Sequence, residues 1–211
     1  MKQKRFLLLL LVMMQPIRIS WSQTEFFEGY IYYDTRFFDL SGKKDITSMM
    51  EGYHDTGQHY YIKNGYYLSL DQNEELMQLF DGSVNTYYFV QDGYIYELDA
   101  AQWEQPKPIY SASKQKKKIS GFACKAITEQ EASGKKLIYF SDKIKVQAQS
   151  FGAHRLGNWI DYLQQTDGGL HLQTITYHED YISVMTAVKI EKKVFEEGFF
   201  DVNRFTQKEV Q

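Results

Sequence analysis

The most reactive side chain in this sequence belongs to its single cysteine, Cys124, which follows three lysines at 116–118. A thiol becomes a nucleophile when it is partly exposed and a positive neighbour stabilises the thiolate. The surrounding stretch alternates like a β-strand, which puts Phe122 and Ala126 on the side of the thiol and Lys125 on the other side. This row of apolar neighbours predicts a buried structural thiol, with an intermolecular disulfide as the alternative.

The histidines and carboxylates form no pattern typical of a metal site or an acid–base pair. No two of the five histidines have the spacing of zinc ligands, and no serine occupies a Gly-x-Ser-x-Gly elbow. Paired carboxylates such as Glu74-Glu75 and Glu196-Glu197 lie in turn-like segments, where we interpret them as solvated charge. The sequence also has no phosphate-binding loop and no dinucleotide motif. These observations predict a protein that is not an enzyme and that has no metal and no cofactor.

The N-terminal residues have the pattern of an export signal. Basic residues at positions 2, 4 and 5 precede an apolar run at 6–14, and Ser20 and Ser22 supply the small residues that a signal peptidase recognises. The apolar run is too short to span a bilayer. The pattern predicts a signal peptide at 1–22 and a single β domain at 23–211 without a transmembrane segment. We expect an exported protein, periplasmic or outer-membrane-associated in a bacterium.

The charge of the exported part disfavours nucleic acid as a partner. The whole chain has 24 Lys+Arg and 27 Asp+Glu. Four of the basic residues (Lys2, Lys4, Arg5 and Arg18) lie within 1–22, so the remainder has 20 against 27, a net charge of −7. Nucleic-acid binding favours a basic surface instead. One cysteine also allows no internal disulfide, so the core must be stabilised by burial alone.

Most of the sequence alternates with a period of two, which is typical of strands that are buried on one side. Turn dipeptides such as Asn64-Gly65, Asp92-Gly93 and Asp167-Gly168 separate the alternating segments and favour antiparallel hairpins. A basic loop precedes residue 119, and one segment at 154–166 has helical spacing. Candidate strands lie at 27–38, 46–54, 58–63, 66–70, 76–80, 85–91, 93–98, 119–129, 135–141, 170–178 and 181–193.

Several predicted strands contain aromatic residues in adjacent positions. Tyr60-Tyr61, Tyr66-Tyr67 and Tyr87-Tyr88-Phe89 are examples. Neighbouring residues of a strand point to opposite faces, so these sets put large rings on both sides of the sheet. One short helix cannot cover a whole face, and we therefore expect a groove or cavity lined by rings. The alternative is a closed small barrel or sandwich with tyrosines on its outer surface.

Four short motifs give the chain a resemblance to a known group of proteins. They are Phe-x-Gly-x-Ile-x-Tyr at 27–33, Ile-x-Gly-Phe-x-Cys-Lys at 119–125, Tyr-Phe-Ser-Asp-Lys at 139–143, and a Thr-Ala-Val-Lys-Ile strand before a Phe-rich tail that ends at 205. With these, the chain resembles a family of secreted bacterial proteins grouped with the LolA/LolB-like lipoprotein carriers. The resemblance implies a mostly β fold, in which a curved antiparallel sheet forms an unclosed barrel with one or two short helices packed at its mouth. In the carriers the concavity binds acyl chains.

The aromatic pattern and the resemblance together predict a binding protein. We expect a lipid, a lipoprotein acyl chain or another apolar ligand in an aromatic-lined concavity. An envelope protein bound at the sheet face or edge is the alternative partner, and an outer-membrane barrel of about eight strands is a third interpretation. The side chains expected to contact the ligand are Tyr33, Tyr61, Tyr67, Tyr88, Tyr96 and Trp159.

Overall fold

A single antiparallel sheet dominates the fold. The structure is a computed structural model that describes residues 26–102, 106–132 and 134–205, so the predicted signal peptide at 1–22 lies outside the described residues. Within those ranges the sheet has eleven strands. They are β1 (Gly29–Phe38), β2 (Gly57–Lys63), β3 (Tyr66–Asp71), β4 (Leu76–Asp81), β5 (Thr86–Gln91), β6 (Tyr94–Asp99), β7 (Ile109–Ile119), β8 (Phe122–Glu131), β9 (Gly134–Lys145), β10 (Gly169–Tyr177) and β11 (Ile182–Lys192).

The sheet consists of two meanders that meet at the first and last strands. Its order is β6-β5-β4-β3-β2-β1-β11-β10-β9-β8-β7. β1 pairs with β2 on one side and with β11 on the other, where Gly29 lies opposite Lys192 and Phe38 opposite Ile182. β6 and β7 are the two edges, and each pairs with one neighbour in the described part of the chain. The prediction of a mostly β, unclosed antiparallel sheet with short helices is confirmed.

Short helical segments lie on both sides of this sheet. The helices are α1 (Thr47–Met50) and α2 (Trp159–Gln165), and 3₁₀ turns lie at Ala148–Phe151, Leu156–Asn158 and Val202–Arg204. The predicted helix at 154–166 is shorter than expected because Gly157 has φ +60° and interrupts it. Leu163 of α2 is fully buried. We call the side of the sheet that packs against 148–165 the helix-covered face.

The opposite side is covered by the C-terminal segment 194–205, and we call it the tail-covered face. Phe195 and Phe199 of this segment contact the ring of Tyr61, and Phe200 contacts Tyr66. Beneath them lies a second apolar cluster that includes Leu68, Leu70, Leu76 and Leu79. The adjacent tyrosines in β2 and β3 therefore do supply rings to both faces, but the tail rather than a helix covers the second face.

Two segments differ from the sequence prediction. Residues 46–54, expected as a strand, form α1 and exposed turns, with one isolated bridge from Phe38 to Asp45 nearby. The expected basic loop before residue 119 is instead strand β7, which contains the lysines at 116–118. The strand predicted at 119–129 is divided by a tight turn in which Ser120 and Gly121 both have positive φ.

No helix within the described ranges has the length and apolar character needed to cross a membrane.

Candidate functional site

The helix-covered face contains a cavity of about 350 Å³. Strands β2 to β5 form one wall, the segment around Leu156 and Gly157 forms a second, and β10 and β11 contribute His171 and Met185. The cavity therefore lies across the junction of the two meanders. Its most prominent side chains are rings, namely Tyr60, Tyr67, Tyr87, His154, Trp159 and His171.

Strand pairing explains why three tyrosines meet there. Tyr67 lies opposite Phe80, and Phe80 lies opposite Tyr87, so the three side chains point to the same face. Tyr60 is on that face as well, with its ring centroid 5.6 Å from that of Tyr67. Register fixes the face of every residue in a strand, so the tyrosine row depends on pairing across β2 to β5.

His154 is the most enclosed polar side chain of the cavity, with 1% of its surface exposed. Its ring lies between aromatic neighbours, 4.2 Å from Phe80 and 5.5 Å from Tyr67 between ring centroids. Its Nε2 is 2.7 Å from the hydroxyl of Tyr67. Burial lowers the pKa of His154 to about 3, because the cationic form would lose its hydration. The imidazole is therefore neutral at ordinary pH.

His171 is held in a similar aromatic setting on β10. Its ring stacks on Tyr33 with centroids 5.2 Å apart, and the Tyr33 hydroxyl donates a hydrogen bond of 2.9 Å to the backbone oxygen of His171. Burial, with a smaller effect from nearby Lys136, lowers the pKa of His171 to about 4. The cavity thus has two neutral imidazoles among its rings.

The remaining polar lining consists of amides. Gln78 accepts a hydrogen bond of 2.7 Å from the Tyr87 hydroxyl, and Gln58 donates one of 2.6 Å to Ser69 Oγ. Two ring nitrogens of lining residues, His154 Nδ1 and Trp159 Nε1, are buried and have no hydrogen-bond partner in the described part of the chain. A pocket with a mainly aromatic lining and a few polar groups is the usual form of a small-molecule site.

The six side chains predicted to contact a ligand do not all lie in this cavity. Tyr67 and Trp159 line it, and Tyr33 lies behind it against His171. Tyr96 is on the helix-covered face but is exposed on edge strand β6, where it stacks on Phe89. Tyr61 and Tyr88 lie on the tail-covered face. The role of all six in binding stays a prediction.

Sequence reasoning did not select Tyr60, Tyr87, His154 or His171, although all four line the cavity. The first two belong to the adjacent aromatic sets, so the strand alternation could have indicated that Tyr60 and Tyr87 face the cavity. The histidines had no such signal, because neither has a partner at a recognisable spacing.

A second cavity, of about 450 Å³, lies on the tail-covered face. Tyr66, Tyr88 and Phe200 contribute rings to it. Its rim contains acidic residues of the tail and of β4, including Glu196, Glu197, Asp81 and Asp201. Tyr88 therefore lies in a setting that is more acidic than the first cavity.

Cys124 is a buried free thiol on β8, with 3% of the residue exposed. Burial raises the pKa of this thiol, partly offset by a backbone hydrogen bond and by the charge of Lys117. Lys117 lies opposite Cys124 in β7, but its amino group donates a 2.8 Å hydrogen bond to Gln173 and lies over the ring of Tyr139. Burial and the competing contacts of Lys117 favour a structural thiol.

The region around Cys124 opens into a broad basic groove of about 830 Å³. Lysines of β7, β8 and β9 line it with Asp142, which forms an ion pair with Lys125. The other lysines of the groove are Lys116, Lys117, Lys118 and Lys143.

Comparisons with known proteins give likenesses of backbone shape. No protein-family model matches the chain, and no curated protein matches it in sequence. Two crystal forms of PNGF-II are similar to 84% and 81% of this chain, with 14% and 12% identity and a TM-score of 0.47 in both cases. The matched region spans 30% of the PNGF-II chain.

Two further solved structures are similar over nearly their whole length. A LolA superfamily protein from Nitrosomonas europaea matches 84% of this chain and 91% of its own, with 8% identity and a TM-score of 0.35. An outer membrane lipoprotein-sorting protein domain from Vibrio parahaemolyticus matches 85% of this chain and 92% of its own, with 7% identity and a TM-score of 0.30. At these values the likenesses concern the course of the backbone and carry no information about ligands.

Proposed function

We propose that this protein is an exported, non-enzymatic binding protein of a bacterial envelope. It holds an apolar or amphipathic molecule, such as a lipid or a lipoprotein acyl chain, in the cavity of the helix-covered face. The observation that carries the proposal is the cavity itself, because rings from both meanders converge on one open pocket. Its lining of rings, amides and aliphatic side chains suits binding of an apolar body at few polar points.

The size of the cavity supports a ligand of modest bulk. Its volume of about 350 Å³ is near the lower end of the roughly 300–1,000 Å³ range of small-molecule sites. A long acyl chain would therefore place one segment in the cavity and leave the rest against the sheet. The N-terminal pattern at 1–22 supports export.

Uptake of a neutral fluorescent dye tests the proposal. Delipidated protein should bind N-phenyl-1-naphthylamine saturably with a stoichiometry of one. The variant Met185→Trp places a larger side chain in the cavity lining and should weaken binding at least about tenfold, since the added ring occupies the ligand's space. Val188→Trp is the matched control on the same strand, at a residue that is 51% exposed. Absence of saturable binding, or equal binding by Met185→Trp and wild type, contradicts the proposal.

One observation favours an interaction module as the alternative function. Strand β6 pairs only with β5 in the described chain, and Tyr94, Tyr96 and Leu98 are exposed along it. An edge strand with exposed apolar side chains can accept an extended strand of a partner protein. A photo-crosslinker at Tyr94 should then capture one envelope protein, and Leu98→Lys should abolish the capture. If the crosslinked product persists in Leu98→Lys, the edge is not the binding surface.

A further inference from the structure

The basic groove concentrates positive charge in a chain whose net charge is negative. Half of the described residues that line it are lysines, and Asp142 is the one acidic residue among them. Residues 23–211 have a net charge of −7, so the groove opposes the overall charge. A concave region lined by one sign of charge raises the local concentration of ions of the opposite sign. The groove should therefore attract anions although the molecule as a whole repels them.

The groove exists because two neighbouring strands separate. β8 pairs with β9 only from Lys125, which lies opposite Phe140, towards the end of the strand. Before Lys125, the residues of β8 pair with β7 alone in the described part of the chain, whereas β9 continues to Lys145 and pairs there with β10. The gap between the separated strands is the groove, and residues 141–143 form one side of it. Lysines from β7, β8 and β9 therefore meet in one place.

Most of this positive charge is not compensated within the protein. Lys125 forms an ion pair of 2.5 Å with Asp142. Within the described ranges, no carboxylate lies within ion-pair distance of the three lysines Lys116, Lys118 and Lys143. The groove thus has three ammonium groups whose counter-charge the described protein does not supply.

The stability of the sheet does not explain this arrangement. Lys116 lies directly opposite Lys125 in the pairing of β7 with β8, and like charges in that position are destabilising. Protection of a sheet edge against unwanted pairing accounts for lysines on β7. It does not account for Lys125 or Lys143, which belong to β8 and β9. Repulsion that a fold retains without a structural benefit is typical of a functional site.

The chemistry of lysine indicates which anion suits the groove. A lysine ammonium is a compact charge with three donors and is a common phosphate ligand. A phosphate group carries up to two negative charges and presents three oxygens, so several ammonium groups can contact it at once. A carboxylate carries one charge and would neutralise less of the groove. The volume of about 830 Å³ also leaves room for more than one phosphate.

We propose that the basic groove binds a phosphate-bearing group through Lys116, Lys118 and Lys143. Two sources share this chemistry, namely a soluble polyphosphorylated molecule and the headgroups of an anionic lipid surface. The groove has no lining residue in common with the cavity of the helix-covered face. The proposal is therefore independent of the proposed function of that cavity.

Calorimetric titration with inorganic tripolyphosphate tests the proposal. At neutral pH and low ionic strength the protein should bind it saturably, and replacing both Lys116 and Lys143 by Gln should weaken binding at least about tenfold. The control replaces Lys43 and Lys44 by Gln, because both are exposed, lie outside the groove and change the net charge equally. The control should weaken binding less than about twofold, since salt and solvent screen distant charges. Absence of saturable binding, or equal losses in the two double variants, overturns the proposal.

The variant Asp142→Asn tests the same site in the opposite direction. It removes the carboxylate that pairs with Lys125 and so adds an available cation to the groove. Tripolyphosphate should then bind about threefold more tightly. A damaged fold cannot produce a gain in affinity, so this variant is informative even if the lysine variants lose stability. Unchanged or weaker binding by Asp142→Asn contradicts the assignment of the site to the groove.

Co-sedimentation with lipid vesicles distinguishes the two sources of phosphate. The vesicles contain equal parts of phosphatidylcholine and phosphatidylglycerol, with pure phosphatidylcholine as the control. Binding to the anionic vesicles that tripolyphosphate prevents supports the proposal and assigns the site to a lipid surface. Tripolyphosphate binding without vesicle binding supports it and assigns the site to a soluble ligand. If neither probe binds, the proposal is overturned, whether or not the dye binds in the cavity of the helix-covered face.

Discussion

Mild acid should destabilise this protein because of its two enclosed histidines. In the unfolded chain an imidazole has a pKa of about 6.5, whereas the pKa in the folded protein is about 3 for His154 and about 4 for His171. As the pH falls, the unfolded chain therefore takes up protons before the folded protein does. The stability contributed by the neutral imidazoles is complete above pH 6.5 and is lost progressively as the pH falls toward the folded values.

The size of the effect follows from the pKa difference. Between pH 6.5 and 5, each histidine lowers the free energy of unfolding by about 1.4 kcal/mol per pH unit. The total loss over this range is about 2 kcal/mol for each histidine and about 4 kcal/mol for the pair. That is a large part of the roughly 5–15 kcal/mol by which small domains are stable.

Urea unfolding followed by intrinsic fluorescence measures this loss. The free energy of unfolding should be determined at pH 7.5, 6.5, 5.5 and 5.0 at constant ionic strength. His154→Gln and His171→Gln should each remove about half of the pH dependence, whatever they do to the stability at pH 7.5. A wild-type free energy that changes by less than about 1 kcal/mol between pH 7.5 and 5.0 would refute the reasoning, because the histidines would then titrate normally when folded.

Three further predictions concern packing, backbone conformation and the thiol. Phe195→Ala should lower the free energy of unfolding in urea by about 3–5 kcal/mol, since this residue is 6% exposed. Val194→Ala is the control, because Val194 is 90% exposed and its loss should be less than about 0.5 kcal/mol. Similar losses for the two variants would show that the tail does not pack as described. Gly168 and Gly93 both have φ +78°, so Ala costs about 1 kcal/mol of strain at either site, but only at Gly168 would the new methyl overlap a backbone carbonyl. We therefore expect Gly168→Ala to be less stable than Gly93→Ala by about 1–3 kcal/mol, and equal melting temperatures would contradict this. Iodoacetamide at pH 8 should alkylate Cys124 at least about tenfold more slowly in the folded protein than in urea, because burial raises the thiol pKa and blocks access; equal rates would mean that the thiol is exposed.

Local chemistry was sufficient to predict most strands and turns. Asn64-Gly65 and Asp92-Gly93 are hairpin turns in the structure, as their residue types require, since Asp92 and both glycines have positive φ. Ser120-Gly121 has residue types of the same kind, but the lysines before it are typical of a solvated loop and conceal strand β7. Lysine is common on edge strands, where it discourages pairing with other chains.

Predictions failed where the outcome depends on distant residues. Residues 46–54 alternate like a strand, but within the described ranges no strand pairs with them, and the isolated bridge to Phe38 is made by Asp45, just before the segment. A strand without a partner leaves its backbone groups to water, so the segment forms turns and α1 instead.

The cavity illustrates the same limit. Period two shows that Tyr60 and Tyr61 face opposite sides, but it does not tell which side a later segment will cover. That depends on the docking of 148–165 and of the tail, both far away in sequence. His154 becomes a site residue only because α2 and β3 come together around it.

The pairing of β1 with β11 has a consequence for how the molecule assembles. Each meander can form from neighbouring hairpins. The pairing of β1 with β11, which places Gly29 opposite Lys192, needs the strands that are first and last in the sequence to come together. Contacts between residues so distant in sequence form slowly, because a long loop must close, at a cost in chain entropy, before these contacts can stabilise the fold. Because the cavity of the helix-covered face draws side chains from both meanders, it forms only when β1 and β11 pair. Any molecule that binds there would consequently bind the folded protein alone and shift the folding equilibrium toward it.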